Sequence, residues 1–277
     1  MKRIDTHQHL WDLRQFPYSW CASLPALNRS FLLEDYLFAA QGTGIEKTVF
    51  VECDVDAPNA LAEAQHIQLL ANQNPLIAGI VASARPEYPD FPDQLEALLP
   101  LPKLRGIRRV LHVVADETSA SAGFAENIRR LTAHKLTFDL CVLSRQLPLA
   151  IALARKCPDV QFILDHCGVP DVKGGALDPW RTHIKLLAEL PNVACKISGI
   201  VAYAGTDWTT ADLLPWVEHV ATSFGGERLV WGGDWPVCNL TATLKTWTDA
   251  SDQVFSSASE NEREKIFHKN AERLYRI

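Results

Sequence analysis

The 277-residue sequence is poor in most of the features that would set it apart from an ordinary globular chain. No stretch approaches the ~20 uninterrupted apolar residues of a membrane span, and the basic start MKRIDTHQHLWDL lacks the apolar core of a secretory leader. A cytoplasmic protein without a membrane partner is expected. No run of five or more like charges occurs, and 33 acidic against 27 basic residues give a net charge of −6, so nucleic acid is not an expected partner. No CxxC pair occurs among the seven cysteines (Cys21, Cys53, Cys141, Cys157, Cys167, Cys195, Cys238). Their odd number and their place in runs such as FDLCV and VACKIS point to free buried thiols. Neither GxGxxG nor GxxxxGK[ST] is present, which removes the usual mark of an open, doubly wound nucleotide-binding sheet. No linker or composition break divides the chain, so one domain over residues 1–277 is expected.

What the chain does have is alternation. With 47% hydrophobic and 22% charged residues it is ample for one large core. Eight short apolar runs follow one another: RID at 3–5, TVFVEC at 48–53, IAGIVAS at 77–83, LRGIRRVL at 104–111, TFDLCV at 137–142, QFILDH at 161–166, VACKIS at 193–198 and RLVWGGDW at 228–235. Between them lie stretches with helical spacing at 32–44, 60–73, 124–135 and 147–157, several closed by Gly42 and Gly44, Asn74-Pro75 or Cys157-Pro158. Continuous apolar strands alternating with helices imply a parallel sheet covered on both faces, and eight such units imply an α/β fold closed as a (β/α)8 TIM-type barrel. The long irregular stretches at 14–30 and 168–180 are expected to overhang its mouth.

In such a barrel the strand ends converge on one site. That rule selects His7 and His9 after strand one, Glu52 after strand two, Arg108 on strand four, His166 after strand six, Lys196 and Ser198 on strand seven, and Asp234 after strand eight. His7 and His9, two residues apart, point to one face of an extended backbone and could grip a metal or a polarised oxygen. An isolated HxH is as often an ordinary polar pair; what promotes this one is that strands one and eight are neighbours in a closed barrel, with Asp234 at the other tip. Asp234 follows Gly232 and Gly233, read here as allowing a sharp turn, and is the candidate general base toward water. His166, ordinarily a structural residue when alone, is promoted by its strand-end position. Arg108 and Lys196 lie on strands of buried type and need anionic partners, which could be substrate or Asp139, Asp165 and Glu52. Trp11, Arg145 and Trp235 complete the candidate substrate contacts with Arg108 and Glu52. The remaining histidines (His66, His112, His134, His183, His219, His268) read as surface or packing residues.

Taken together, IDTHQHLWD, RGIRRVL, SRQLP, ILDHCGVPD, CKISG, RLVWGGDWPV and KIFHKNAERLY resemble the amidohydrolase superfamily over essentially the whole chain, and within it the lactonase branch. The resemblance implies attack of water on a lactone carbonyl, with His7, His9 and His166 holding and polarising the carbonyl or binding a metal, and with Asp234 activating the water. The carboxylated lysine and strand-five histidine of binuclear members have no counterpart in LRGIRRVL and TFDLCV, which argues against a two-metal site. One divalent ion, zinc first among the candidates, held by His7, His9 and Asp234 is one reading; a metal-free site is the other, and the sequence leaves both open. The aromatic first loop with Trp11, Tyr18 and Trp20 and the few arginines favour a sugar (aldono-) lactone, a small-molecule substrate, over an aromatic dicarboxylate. A metal-dependent decarboxylase and a non-catalytic ligand-binding barrel are the alternatives. Oligomeric state is not legible.

Overall fold

The computed structural model describes residues 1–277. Eight parallel strands pair in chain order: β1 (Arg3–Gln8), β2 (Ile45–Val51), β3 (Ile77–Ser83), β4 (Leu104–Val110), β5 (Thr137–Cys141), β6 (Phe162–Leu164), β7 (Val193–Ile197) and β8 (Leu229–Trp231). Just past their ends β8 meets β1: the Asp234 N–H donates to the His7 carbonyl at 2.8 Å and the His9 N–H to the Trp235 carbonyl at 2.9 Å. The sheet is thus a nearly closed barrel. Around and beneath it lie α1 (Leu33–Ala39), α2 (Ala60–Gln73), α3 (Phe91–Leu98), α4 (Glu117–Ala120), α5 (Ala122–Arg129), α6 (Leu147–Lys156), α7 (Trp180–Ala188), α8 (Thr210–Phe224), α9 (Leu244–Val254), α10 (Glu260–Glu264) and α11 (Asn270–Tyr275).

Alternation along each strand divides its side chains between two cores. Ile4, Val49, Val51, Val81, Ile163, Ala194 and Val230 fill the barrel interior, and Ala271, Leu274 and Tyr275 of α11 pack against them. Their neighbours Phe50, Ile80, Ile107, Phe138, Phe162 and Leu229 belong to the outer core shared with the helices. Burial on both faces explains why the strands read as unbroken apolar runs. The seven cysteines are free and buried, and no helix is long and apolar enough to cross a membrane.

The expected elements differ from the observed ones mainly at their ends. The helix expected over 32–44 stops at Ala39, because Gly42 and Gly44 take φ of 72° and 78° in the following turn. The helix expected over 124–135 begins at Ala122 and tightens into a 3-10 turn after Arg129, which ends at the left-handed Lys135. Strand eight is shorter than RLVWGGDW, since the chain leaves the ladder at Gly232. One irregularity bears on the site. Asp5 pairs with Thr48 and Gln8 with Phe50, so three steps on β1 oppose two on β2. This bulge reverses the parity of the strand: Ile4 faces the barrel before it, and His7 does so after it.

Candidate active site

His7 is the penultimate residue of β1 and faces inward, and His9 lies one residue beyond the strand. Asp5, buried beside them, accepts hydrogen bonds from the His7 N–H (3.0 Å), the Gly233 N–H (2.7 Å) and the Tyr36 hydroxyl (2.8 Å), tying the first strand, the last strand and α1 together. His166 and Asp234 both have left-handed backbones, with φ of 53° and 54°. Such a conformation is costly for residues with a Cβ and persists where the surroundings impose it. For Asp234 the restraints are its own N–H on His7 and its carbonyl, which accepts from the Cys238 N–H at 2.8 Å. The positive φ in this turn is taken by Asp234 and not by Gly232 or Gly233. Gly232 instead allows close approach, since a Cβ there would stand 2.8 Å from the Cβ of His7.

The four groups expected to carry the chemistry meet. The Nε2 atoms of His7 and His9 are 3.1 Å apart, and Asp234 Oδ1 lies 3.7 Å from the first and 3.5 Å from the second. The other carboxylate oxygen, Oδ2, is 4.0 Å from His166 Nδ1, which is itself 3.0 Å from Ser198 Oγ. His9 Nδ1 lies 2.8 Å from the Val51 carbonyl and can only donate there, which leaves a lone pair on Nε2 facing His7. Burial lowers the pKa of His9 to about 3 and holds those of His7 and His166 below the usual range, so all three rings are neutral near pH 7. Burial pushes Asp234 the other way, up to about 6.

These donors fit a small divalent ion. Ligands of a tetrahedral zinc at ~2.05 Å stand roughly 3.3 Å from one another, and the three edges here are 3.1, 3.5 and 3.7 Å. The charge also fits: Arg108 and Lys196 stand among Glu52, Asp139, Asp165 and Asp234, a formal excess of two negative charges. His7, Asp165 and His166 form a second cluster, but Asp165 is already engaged by Lys196 (2.9 Å) and Arg108 (3.3 Å).

The partners of the two buried cations are the protein's own carboxylates. Arg108 Nε donates to Glu52 Oε1 at 2.7 Å, its Nη2 to the Glu52 carbonyl, and its Nη1 reaches Asp165 Oδ2 at 3.3 Å. Lys196 Nζ donates to Asp139 Oδ2 at 2.8 Å. Burial works against the charge on Glu52, and the guanidinium groups of Arg108 and Arg85 overcome it, so its pKa ends below the usual range.

Above this layer opens a cavity of about 380 Å³ lined by His9, Arg108, His166 and Asp234. The stretch 14–30 walls it, through Trp20, Ser23, Leu24 and Leu27, and Trp11 stands beside them. Trp20 is fixed there by its indole N–H on the Cys53 carbonyl (2.8 Å). The stretch 168–180, expected over the mouth, contributes no lining residue; Tyr203 after β7 and Val237 and Leu240 after β8 do so. Among the candidate substrate contacts, Glu52 is fully buried behind Arg108, and Trp235 is not part of the cavity lining but is packed in the core against Phe31 and Tyr36. Arg145 lies away from the cavity, exposed and paired with Asp116 at 2.5 Å. His112, read from sequence as a surface or packing residue, lines the cavity with its Nδ1 3.6 Å from Cys141 Sγ. Sequence reasoning also missed Asp54, Tyr203 and Gly199. Asp54, two residues after Glu52, was within reach of the strand-end rule; Gly199 closes the CKISG stretch but was given no role there, and Tyr203, in the 3-10 turn that follows, has no pattern to single it out.

The amidohydrolase family profile matches residues 4–277. An L-fucono-1,5-lactonase of Burkholderia ambifaria is 31% identical over 281 residues, covering 99% of this chain and 96% of that one. An L-rhamnono-gamma-lactonase of Scheffersomyces stipitis is 22% identical, covering 100% and 99%. A crystal structure of a Burkholderia multivorans amidohydrolase with bound zinc superposes with a TM-score of 0.90 at 29% identity, covering the whole of both chains. The chain belongs to the amidohydrolase family.

Proposed function

We propose that the protein is a hydrolase that opens a neutral sugar lactone to its hydroxy acid, with Asp234 as the general base. The observation that carries this reading is the two-sided placement of the Asp234 carboxylate: Oδ1 turns to the His7 and His9 pair, and Oδ2 turns toward His166. Oδ2 is thereby available to take a proton from water, and a pKa of about 6 makes the group ionised yet usefully basic near neutrality. With Ser198 Oγ–H as donor to His166 Nδ1, 3.0 Å away, the Nε2–H of His166 would be a donor for the carbonyl oxygen on which charge develops. His7, His9 and Asp234 Oδ1 would hold a divalent ion, which supplies Lewis-acid polarisation of the same carbonyl when bound.

A neutral substrate is supported by the charge of the cavity. Arg108 is the sole lysine or arginine lining it, and its guanidinium is committed to Glu52 and Asp165. A dicarboxylate would call for free arginine forks. Asp54, His112, Tyr203 and Ser23 are suited to hydroxyl groups, Trp11 and Trp20 to a ring face, and the volume to one small ring. The two lactonase relatives, named for sugar lactones, support the same class.

The test is a panel of 1,4- and 1,5-aldonolactones assayed by acid release in a pH-indicator buffer, on wild type and Asp234→Asn. Hydrolysis by the wild type and a loss of 10²-fold or more in the variant are expected. Wild-type turnover by Asp234→Asn would remove the mechanism; release of carbon dioxide from aromatic acids with no lactone opened would replace the reading by a decarboxylase.

A further inference from the structure

The polar groups that line the cavity divide by whether the protein already engages them. Arg108 is held by Glu52 and Asp165, His9 by the Val51 carbonyl, and the Ser23 hydroxyl by the Trp20 carbonyl. Asp54 is different. It lines the cavity, and its nearest cations, Arg85 Nη2 at 3.6 Å and Arg109 Nη1 at 4.0 Å, stand beyond hydrogen-bond reach of its carboxylate. Each guanidinium hydrogen-bonds elsewhere: Arg85 Nη1 donates to Ser83 Oγ and Arg109 Nε to Glu87 Oε1, both at 2.8 Å. The two cations thus offset Asp54 and Glu87 while leaving the Asp54 lone pairs open. A carboxylate so balanced suits neutral hydroxyl donors better than a further cation.

The backbone holds Asp54 in this place. Its φ of 49° is left-handed, a conformation that aspartate tolerates better than most residues. Its N–H donates to Glu52 Oε2 at 2.8 Å, and Oε1 of the same carboxylate accepts from Arg108 Nε at 2.7 Å. The buried Arg108 and Glu52 pair therefore acts on the cavity through Asp54. The peptide that joins Cys53 to Asp54 also fixes the indole of Trp20, whose N–H donates to the Cys53 carbonyl at 2.8 Å. One turn after β2 thus presents an acceptor and an aromatic ring on the same stretch of cavity wall. A hydroxylated ring uses both, with hydroxyl groups at its edge and C–H bonds on its face.

We propose that Asp54 is the specificity-determining residue of this cavity: its two carboxylate oxygens accept hydrogen bonds from two adjacent hydroxyl groups of the substrate ring while Trp20 covers the ring face. The inference deepens the sugar-lactone reading and rests on it. Asp54 makes no hydrogen bond or ion pair with His7, His9, His166 or Asp234. Its contribution is to binding, and falls on KM rather than kcat.

The test compares the aldonolactone turned over fastest with its singly deoxygenated analogues, one for each ring hydroxyl, on wild type and Asp54→Asn. Asparagine tolerates the same backbone, and the ratio of wild type to variant cancels the intrinsic reactivity of each lactone. In wild type, loss of either of two adjacent hydroxyls is expected to lower kcat/KM at least about tenfold, chiefly through KM. Asp54→Asn is expected to lower the parent value by a similar factor and to treat those two analogues and the parent alike. Wild-type tolerance of every single deoxygenation would overturn the proposal, as would a variant that slows all the lactones by one common factor, the mark of a structural role. Should Asp54→Asn not fold, Asp54→Glu, which moves the carboxylate by one methylene, is read against the same series with the same outcomes. Calorimetry with aldonolactams, which carry the ring hydroxyls but resist opening, separates the two ideas. Lactam binding weakened at least about tenfold in the variant, with no lactone hydrolysed by wild type, sinks only the lactonase reading. Hydrolysis with no dependence on Asp54 sinks only the present proposal, and neither binding nor turnover sinks both.

Discussion

Asp234 meets His7 at two points across the seam between the first and last strands, once through the backbone and once through the side chain. Its backbone N–H donates to the His7 carbonyl at 2.8 Å, and its Oδ1 stands 3.7 Å from the Nε2 of the same residue. The hydrogen bond that helps close the barrel therefore also sets the distance between base and imidazole, so closure and catalytic geometry cannot be altered separately.

The pH dependence follows from the carboxylate. With Asp234 at about 6 and the ionised form active, kcat/KM of chelator-treated protein should rise tenfold per pH unit below 6 and level off above it. A cation on Oδ1 favours the ionised form, so adding zinc should move the inflection to lower pH. A profile flat between pH 4.5 and 7.5 in chelator would contradict the assignment of Asp234 as base.

The same shift predicts stability. The Asp234 pKa is raised in the folded state from an ordinary value of 3.8, so the folded protein holds the proton more tightly than the unfolded chain does. Stability is therefore lost as pH rises from about 4 to about 6, by on the order of 3 kcal/mol when complete. Asp234→Asn escapes that loss. In chelator at pH 7.5 it should melt several degrees above wild type, the gap closing near pH 4; an unchanged Tm at pH 7.5 would count against a carboxylate held at such cost.

Gly199 is a sharper probe of the site than its place in a loop suggests. It has a φ of 61°, and a Cβ there would fall 2.2 Å from His166 Nδ1 and 2.7 Å from Asp234 Oδ2. Gly199→Ala should displace both groups, lowering kcat at least tenfold and costing about 1–3 kcal/mol of stability from the backbone. Wild-type kcat in a folded Gly199→Ala protein would mean that His166 and Asp234 need not keep their present positions.

Two arginines should behave in opposite ways. Arg108→Gln takes from Glu52 its buried ion-pair partner and from Asp165 one of two, Lys196 remaining, and should cost about 3–5 kcal/mol. Arg145→Ala removes an exposed pair with Asp116 and should alter kcat/KM less than about twofold and Tm hardly at all. Urea melts and lactone kinetics on the two variants check both; a large kinetic effect of Arg145→Ala would require a substrate that extends beyond the cavity.

The barrel was legible in the sequence because burial on both faces writes each parallel strand as an apolar run, and His7, His9, His166 and Asp234 were legible because strand ends converge in such a barrel. Helix ends were read too far where glycines such as Gly42 and Gly44 stopped them, and His112 was passed over because nothing in LHVV distinguishes a cavity residue from a packed one. The order of apolar and polar residues, a local property of the chain, thus determined the fold class and the candidate set. Which partner each buried charge takes, as Arg108 takes Glu52 and Asp165 and Lys196 takes Asp139, depends on distances between strands, and these exist only once the sheet has closed. Tertiary structure alone decided that Arg145 and Trp235 lie outside the cavity lining, that a bulge turns His7 inward, and that Gly199 must lack a side chain. Each is a matter of ångström-scale proximity between segments far apart in sequence, which residue order does not specify.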